Sequence, residues 1–159
     1  MSDPIAPVSQ DAVHTAIRRA ADATGVDFSL LVQTARRESA LNPNARASTS
    51  SATGLFQFID STWLDMVRRH GADHGLVAEA SALQNGANAQ TRRDILALRS
   101  DPEIAARMAG ELTRENATTM QARLGRAPTA GELYAAHVMG PGGALRLIEA
   151  AQQGAQNVV

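Results

Sequence analysis

The chain has 159 residues, enough for one domain with a proper core and too few for two sizeable ones. Its formal net charge is -1, whereas proteins that bind DNA or RNA usually carry a marked basic excess, so we expect no nucleic-acid partner. The chain has no cysteine, so disulfides and thiolate metal sites are excluded. No apolar stretch has membrane-spanning length, so no membrane span is expected, and residues 1–10 lack the basic region and apolar core of a signal peptide.

Helical periodicity runs through most of the chain and predicts an all-α protein. Residues 1–8 are interpreted as a flexible lead-in, and Ser9 is expected to cap a first helix that ends near Gly25. Asp27 is expected to cap a second helix, which the sequence Asn-Pro-Asn at 42–44 ends because proline and its preceding residue disfavour helix.

The middle of the chain contains a predicted loop followed by a third helix. A loop or small β-hairpin is predicted near residues 46–58, because this segment begins with a run rich in serine and threonine that leads to Gly54. Asp60 or Ser61 is expected to cap the third helix, and Gly71 lies just beyond its end. Beyond Gly71 the pattern predicts no clear element before the next short helix.

The second half is predicted to be helical as well. Its expected elements are a short helix over 92–98, the longest helix from 101 to 124, a helix from 130 that stops at the glycine-rich turn 140–143, and a final helix to about 153. Thr129 and Glu132 have the spacing of a capping box. We therefore expect a single domain over 9–153 and a flexible tail over 154–159.

Glu38 is the first candidate for chemistry. It follows Leu31 and Ala35 at the spacing of one helical face, so we expect its carboxyl group to lie inward. Desolvation favours the protonated form of a carboxyl group, and that form can donate a proton to a glycosidic oxygen. The alternative interpretation is a solvated glutamate that pairs with a neighbouring arginine.

Two motifs around Glu38 resemble the soluble lytic transglycosylase domain. They are Arg-Glu-Ser-Ala-Leu-Asn-Pro at 37–43 and Ser-Ala-Thr-Gly-Leu-Phe-Gln-Phe at 51–58, the second followed by Ser-Thr-Trp at 61–63. In that family a Glu-Ser pair supplies the catalytic acid, and a Gly-Leu-Met-Gln-type segment lines the cleft; here Phe56 replaces the methionine. The resemblance spans about residues 24–147 and implies a lysozyme-like helical domain of the goose-type or soluble lytic transglycosylase kind.

A third segment, Ala-His-Val-Met-Gly at 136–140, resembles the family's Ala-Tyr-Asn-Ala-Gly motif. His137 lies where tyrosine is usual, and the segment resembles a divergent branch of the superfamily that has histidine there. Tyr134 and His137 are three residues apart, so both can face the cleft from one helix. Alternatively, Tyr134 is a core residue with its hydroxyl at the rim, and His137 is a hydrogen-bonded core histidine.

Further substrate contacts are predicted beside the catalytic glutamate. The amide of Gln57 can bind an N-acetyl group or orient the glutamate, or it can satisfy backbone groups of its own loop. Ser39 is expected to hydrogen-bond the carboxylate before it or a sugar, unless it only ends the helix. Phe56 is either a sugar contact or a core residue, whereas Phe58 and Trp63 are assigned to the core.

The resemblance implies a peptidoglycan lytic transglycosylase. Glu38 would protonate the β-1,4 glycosidic oxygen between MurNAc and GlcNAc while the substrate's N-acetyl group assists. As a carboxylate it would then take the proton of the muramoyl C6 hydroxyl, which leaves a 1,6-anhydroMurNAc end. Asp60 and Asp65, the next acids along the chain after Glu38, are interpreted as a helix cap and a solvated helix residue.

Two alternatives stay open: a hydrolytic muramidase or endolysin of the same fold, and a non-catalytic peptidoglycan-binding assembly module. We expect no cofactor and no metal, because glycines at 71 and 75 interrupt any regular ligand face around His70 and His74. The expected partners are peptidoglycan glycan strands, together with flagellar or secretion machinery of the cell envelope or a phage particle. We expect a monomer in the bacterial periplasm or cell envelope, with a phage-encoded origin left open.

Overall fold

The computed structural model describes residues 9–156, which are 76% helical with no strand in that range, and this confirms the all-α prediction. The helices are α1 (Gln10–Thr24), α2 (Phe28–Ser39), α3 (Asp60–His70), α4 (Val77–Gln84), α5 (Ala89–Ala97), α6 (Pro102–Leu124) and α7 (Ala130–Gln156), with 3₁₀ turns at Gly71–His74 and Leu98–Ser100. The predicted lead-in 1–8 and the last three residues of the predicted tail lie outside the described residues, and α7 continues through 154–156.

Several predicted helix starts are confirmed by their hydrogen bonds. The side chain of Ser9 accepts from the N–H of Ala12 at 3.1 Å. Thr129 and Glu132 form the reciprocal capping box, because the Thr129 N–H donates to the Glu132 carboxylate at 2.9 Å and the Glu132 N–H donates to the Thr129 hydroxyl at 3.2 Å. These bonds satisfy N–H groups that have no partner inside the helix.

The prediction for the start of α3 was wrong. Ile59 occupies the N-cap position and its side chain cannot accept a hydrogen bond, while Asp60 is already the first helical residue. The carboxylate of Asp60 instead lies 2.9 Å from the guanidinium of Arg99. A cationic partner from a distant part of the chain thus engages the side chain that local spacing assigned to the cap.

The Cα positions divide the chain into two compact units, one up to Glu111 and one from Leu112 onward, so that α6 contributes to both. The predicted single domain over 9–153 stays a prediction. In the first unit α1 packs on α2, and α3 packs on α4 and α5. A Cβ at Gly110 would lie 2.5 Å from the Thr24 hydroxyl oxygen, so glycine there allows α6 to approach the end of α1 closely.

Aromatic packing connects α3 to α5 within the first unit. Trp63 is fully buried, its ring centroid lies 5.2 Å from that of Phe58, and its indole N–H donates to the carbonyl oxygen of Ile95 at 2.8 Å. Phe58 is 3% exposed. The core assignment of both aromatic residues is confirmed, and the buried indole has the hydrogen-bond partner that it needs.

The second unit has its own small core. It consists of the buried residues Met120, Ala136, Ala144 and Leu145, with partly buried apolar side chains around them. The predicted stop at 140–143 is a kink at Gly140, where φ is 79° and ψ is 160°, and the helical conformation resumes at Pro141. Proline lacks the N–H that an uninterrupted helix needs, and glycine tolerates the positive φ before it.

The loop near 46–58 matches its prediction. Single antiparallel bridges join Arg46 to Thr53 and Thr53 to Phe58, without a continuous strand. Gly54 has φ 86°, and a Cβ there would fall on the carbonyl oxygen of Arg99, so this position requires glycine for both conformation and space. No helix among residues 9–156 is long and apolar enough to cross a membrane.

Candidate active site

Glu38 lies next to the end of α2 and is half-buried. It continues, by one turn, the face of α2 on which Thr34 and Ala35 are buried. The chain reverses directly after this helix, because Ala40 and Leu41 both adopt left-handed conformations with φ 53° and 62°. Such conformations cost non-glycine residues free energy and are enriched at functional sites. The carboxyl group therefore lies at the edge of the buried face, next to a strained turn.

Ser39 connects the first motif to the second. Its hydroxyl lies 2.8 Å from the carbonyl oxygen of Leu55 and 2.9 Å from that of Ala35, so its single proton is shared between two acceptors. The bond to Leu55 joins the end of α2 to the loop that carries Gly54 and Gln57. Ser39, which directly follows Glu38 in sequence, thus holds this loop against the end of α2. The sequence did not predict this role.

Gln57 supports the same loop from inside. Its backbone has φ 54°, and its side-chain N–H₂ donates to the carbonyl oxygens of Ala45 at 3.2 Å and Gly54 at 2.9 Å. These bonds correspond to the alternative in which the amide satisfies loop backbone groups. Among residues 9–156 no donor bonds the amide oxygen of Gln57, so this oxygen keeps its capacity to accept a hydrogen bond.

Phe56 has no exposed surface, as has Leu55 before it. Of the two interpretations left open for Phe56, its burial corresponds to the core role. A side chain without accessible surface makes no contact with a substrate in this conformation. Phe56 therefore stabilises the loop through the burial of a large apolar side chain, which is favourable when it is removed from water.

Arg99 organises this loop and was not singled out in the sequence. Its guanidinium donates to the carbonyl oxygens of Ser51 at 2.9 Å and Phe58 at 2.8 Å, and it pairs with Asp60. Burial lowers the pKa of Arg99, an effect that Asp60 opposes. No local signal could have revealed this role, because Ser51 lies 48 residues from Arg99 along the chain.

The two other acids near the motifs are engaged by arginine. Asp60 pairs with Arg99, and Asp65 lies 2.7 Å from Arg68 and 2.9 Å from Arg69 on the same helix. Both carboxylates remain about half exposed, at 49% and 45%. Asp65 is therefore a solvated helix residue as predicted, with two ion-pair partners, whereas Asp60 is an ion-pair residue and not a cap.

Tyr134 and His137 lie one turn apart on α7 in the second unit, and both side chains are half-buried. Between them, Ala136 is buried in the core of that unit. The capping box of Thr129 and Glu132 holds the first turn of α7. The hydrogen bond from Arg126, followed by that from the Thr129 N–H, lowers the pKa of Glu132 to about 2. Tyr134 and His137 thus follow the capped first turn of α7.

His70 and His74 contact the carboxylate of Glu111, a partner that spacing along the sequence does not reveal. The Nε2 atom of His74 lies 3.1 Å from Glu111, and the Nδ1 atom of His70 lies 3.4 Å from the other oxygen of the same carboxylate. Arg107 donates to Nδ1 of His74 at 3.2 Å. Because that nitrogen accepts, the proton of a neutral His74 lies on Nε2 and points at Glu111. Within residues 9–156 no cluster of three or more histidine or acidic side chains suits a metal ion.

A helical domain with a half-buried glutamate at a helix end, tied to a Gly-Leu-Phe-Gln loop, is of the lysozyme-like class. Residues 15–157 match the transglycosylase SLT domain, and the chain belongs to this family. The match confirms the resemblance seen in the motifs. It supports a transglycosylase-type function that acts on peptidoglycan, the substrate of SLT domains in the cell envelope.

Proposed function

We propose that this protein is a lytic transglycosylase that cleaves the β-1,4 bond between MurNAc and GlcNAc, with Glu38 as acid and then base. The observation that supports it most directly is the Ser39 to Leu55 hydrogen bond, which ties the loop of the second motif to the helix end that carries Glu38. The half-buried position of Glu38 fits a carboxyl group that must meet both a substrate and a partly desolvated environment.

In the first step the protonated carboxyl group of Glu38 donates its proton to the glycosidic oxygen, and the bond from this oxygen to the muramoyl anomeric carbon breaks. The carbonyl oxygen of the substrate's own N-acetyl group stabilises the positive charge at that carbon. The leaving GlcNAc keeps the donated proton as a hydroxyl group.

In the second step the Glu38 carboxylate removes the proton of the muramoyl C6 hydroxyl, and the C6 oxygen bonds to the anomeric carbon. The product is a 1,6-anhydroMurNAc end, and Glu38 is protonated again without consumption of water. Most glycosidases need a second carboxylate as base or nucleophile. Here the next acids along the chain, Asp60 and Asp65, are paired with arginines, which fits a mechanism that uses one catalytic carboxyl group.

Substrate contacts are proposed for three further residues. The free amide oxygen of Gln57 can accept a hydrogen bond from an N-acetyl N–H, while its N–H₂ group maintains the loop. Tyr134 and His137 are proposed as contacts from α7, on the basis of the third motif. Because the proposed substrate is peptidoglycan, we propose that the protein acts in a bacterial periplasm or cell envelope. Wall remodelling, assembly of a flagellum or secretion apparatus, and phage lysis all require cleavage of this glycosidic bond.

The test is mass spectrometry of the soluble products after incubation of purified peptidoglycan with the protein. Anhydromuropeptides are expected from the wild type, and Glu38→Gln should lower their rate of formation roughly a hundredfold or more with the fold intact. Glu79→Gln is the matched control, since Glu79 is also half-buried and lies on α4, away from the motifs in sequence.

Each contrary result has a distinct meaning. Products with an ordinary reducing end, heavier by one water, would identify a hydrolytic muramidase instead. Binding of peptidoglycan without any soluble product would identify a non-catalytic module. Near-wild-type turnover of Glu38→Gln would remove Glu38 from the mechanism.

A further inference from the structure

A cavity of about 300 Å³ lies on the first unit between the loop near 46–58 and the end of α5. Three arginines line it, namely Arg46, Arg93 and Arg99, together with the hydroxyl-bearing residues Thr53 and Ser100. No aspartate or glutamate is among its lining residues. Its size is at the low end of small-molecule pockets, which are roughly 300–1,000 Å³, so it suits a small group or a chain end.

The positive charge of this arginine cavity is only partly neutralised. Arg99 pairs with Asp60, which accounts for one of the three charges. Arg93 donates to the neutral amide oxygen of Gln90 at 2.8 Å, and within residues 9–156 the guanidinium of Arg46 has neither an ion pair nor a hydrogen bond. Two guanidinium groups without a carboxylate partner therefore share one concave site.

The positive charge of Arg46 affects the pKa of Arg99. Burial is the main cause that lowers the pKa of Arg99, Asp60 raises it, and the like charge of Arg46 lowers it further. Like charges that converge in a cavity repel each other, and a bound anion relieves that repulsion. The planar guanidinium group pairs best with carboxylate or phosphate, since it presents two parallel N–H donors.

The cavity shares its wall with the loop of the second motif. Arg46 directly follows Ala45, whose carbonyl oxygen accepts from the N–H of Gly54 at 2.8 Å and from the side chain of Gln57 at 3.2 Å. A substrate that lies along Gln57 can therefore extend towards Arg46 within the same unit. In peptidoglycan the groups that extend from the glycan strand are peptide stems, and these carry free carboxylates.

We propose that the arginine cavity binds a carboxylate of the peptide stem, with Arg46 and Arg93 as its ligands. The proposal rests on peptidoglycan as the substrate of the proposed function. The cavity then distinguishes strands that carry stems from bare glycan, and it does so through groups separate from Glu38. Arg99 contributes to the shape of the cavity and to the loop, and its charge is largely balanced by Asp60.

Binding is tested without any turnover, by titration of the full chain with three probes at matched ionic strength, followed by NMR of the arginine side chains. The probes are a synthetic stem peptide with free carboxylates, the same peptide with all carboxylates amidated, and inorganic phosphate. We expect saturable binding of the free-carboxylate peptide and none of the amidated one. The double variant Arg46→Gln/Arg93→Gln should bind at least about tenfold more weakly, the scale of one lost charged hydrogen bond.

Arg92→Gln is the control, because it removes the same charge from an exposed position of α5 that does not line the cavity. It should bind the peptide like the wild type. Equal binding of the amidated peptide, or undiminished binding by the double variant, would overturn the proposal. Tighter binding of phosphate than of the peptide would also overturn it and assign the cavity to a free anion.

Kinetics separate this proposal from the proposed function. The double variant should show a raised KM on peptidoglycan with intact stems, and wild-type KM on strands whose stems have been removed. An equal rise on both substrates would contradict a stem site. A wild type that forms no anhydro product refutes the proposed reaction and leaves the peptide titration as an independent result.

Discussion

The hydroxyl of Ser39 at the end of α2 lies 2.8 Å from the carbonyl oxygen of Leu55 in the loop of the second motif. The same hydroxyl lies 2.9 Å from the carbonyl of Ala35, one turn back in its own helix. One side chain thus ties the helix end that carries Glu38 to the loop that carries Gln57. The serine after the glutamate has a structural reason to be there that does not require contact with a sugar.

Removal of the Ser39 hydroxyl should therefore affect turnover more than substrate binding. In Ser39→Ala the Leu55 carbonyl loses its donor, and we expect the free energy of unfolding to fall by about 1–2 kcal/mol. A shift of the loop relative to Glu38 should lower kcat about tenfold or more with KM nearly unchanged, because catalysis depends steeply on position. Ser29→Ala is the control, since Ser29 is exposed on the same helix. A wild-type kcat in Ser39→Ala would contradict the positioning role.

Gln57→Ala should lower both the stability of the protein and its kcat. Two hydrogen bonds of about 1 kcal/mol each are lost, and alanine keeps the unfavourable positive φ. We expect a fall of about 1–3 kcal/mol in the free energy of unfolding, measured with urea, and a parallel fall in kcat. If kcat falls while stability is unchanged, the amide acts on the substrate and its loop bonds contribute little.

Arg99→Lys should loosen the loop although the positive charge is kept. The Nη1 atom of Arg99 donates to Ser51 and Phe58 while its Nε atom donates to Leu96 at 3.0 Å, and the single nitrogen of lysine cannot reproduce bonds made from two atoms, so carbonyl oxygens lose their donors. We expect a loss of about 2–4 kcal/mol, which corresponds to a decrease in Tm of roughly 5–15 °C by calorimetry. Arg92→Lys, on the exposed side of α5, should leave Tm unchanged. A similar Tm for both variants would mean that the loop does not depend on Arg99.

Glu132 should make stability depend on pH in the acid range. The bond from Arg126, followed by the Thr129 N–H, lowers the pKa of Glu132 from 4.5 to about 2 in the folded protein. Its stabilising effect is therefore fully present above pH 4.5 and is lost as the pH falls towards 2.

Glu132→Gln keeps the shape of the capping side chain and removes its charge. The variant should be less stable than the wild type by about 1 kcal/mol at neutral pH, the scale of a helix cap. Thermal unfolding at a series of pH values should show that this difference disappears near pH 2. A difference that is the same at every pH would mean that the charge of Glu132 does not contribute.

The local elements of this protein could be predicted from the sequence because their hydrogen bonds join near neighbours. The caps at Ser9 and Asp27 and the capping box of Thr129 and Glu132 each connect residues three positions apart. Such bonds depend on spacing and residue type alone. The motifs around Glu38 are also local, and they were sufficient to predict the family.

The contacts that shape the candidate site were decided by the tertiary structure. Arg99 reaches Phe58 across 41 residues, and His74 reaches Glu111 across 37. Asp60 has the residue type of a cap, yet it pairs with Arg99 because the fold brings the two together. Sequence spacing determines which groups can bond within a turn of helix, whereas packing of distant segments determines which buried carbonyls and carboxylates need a cation.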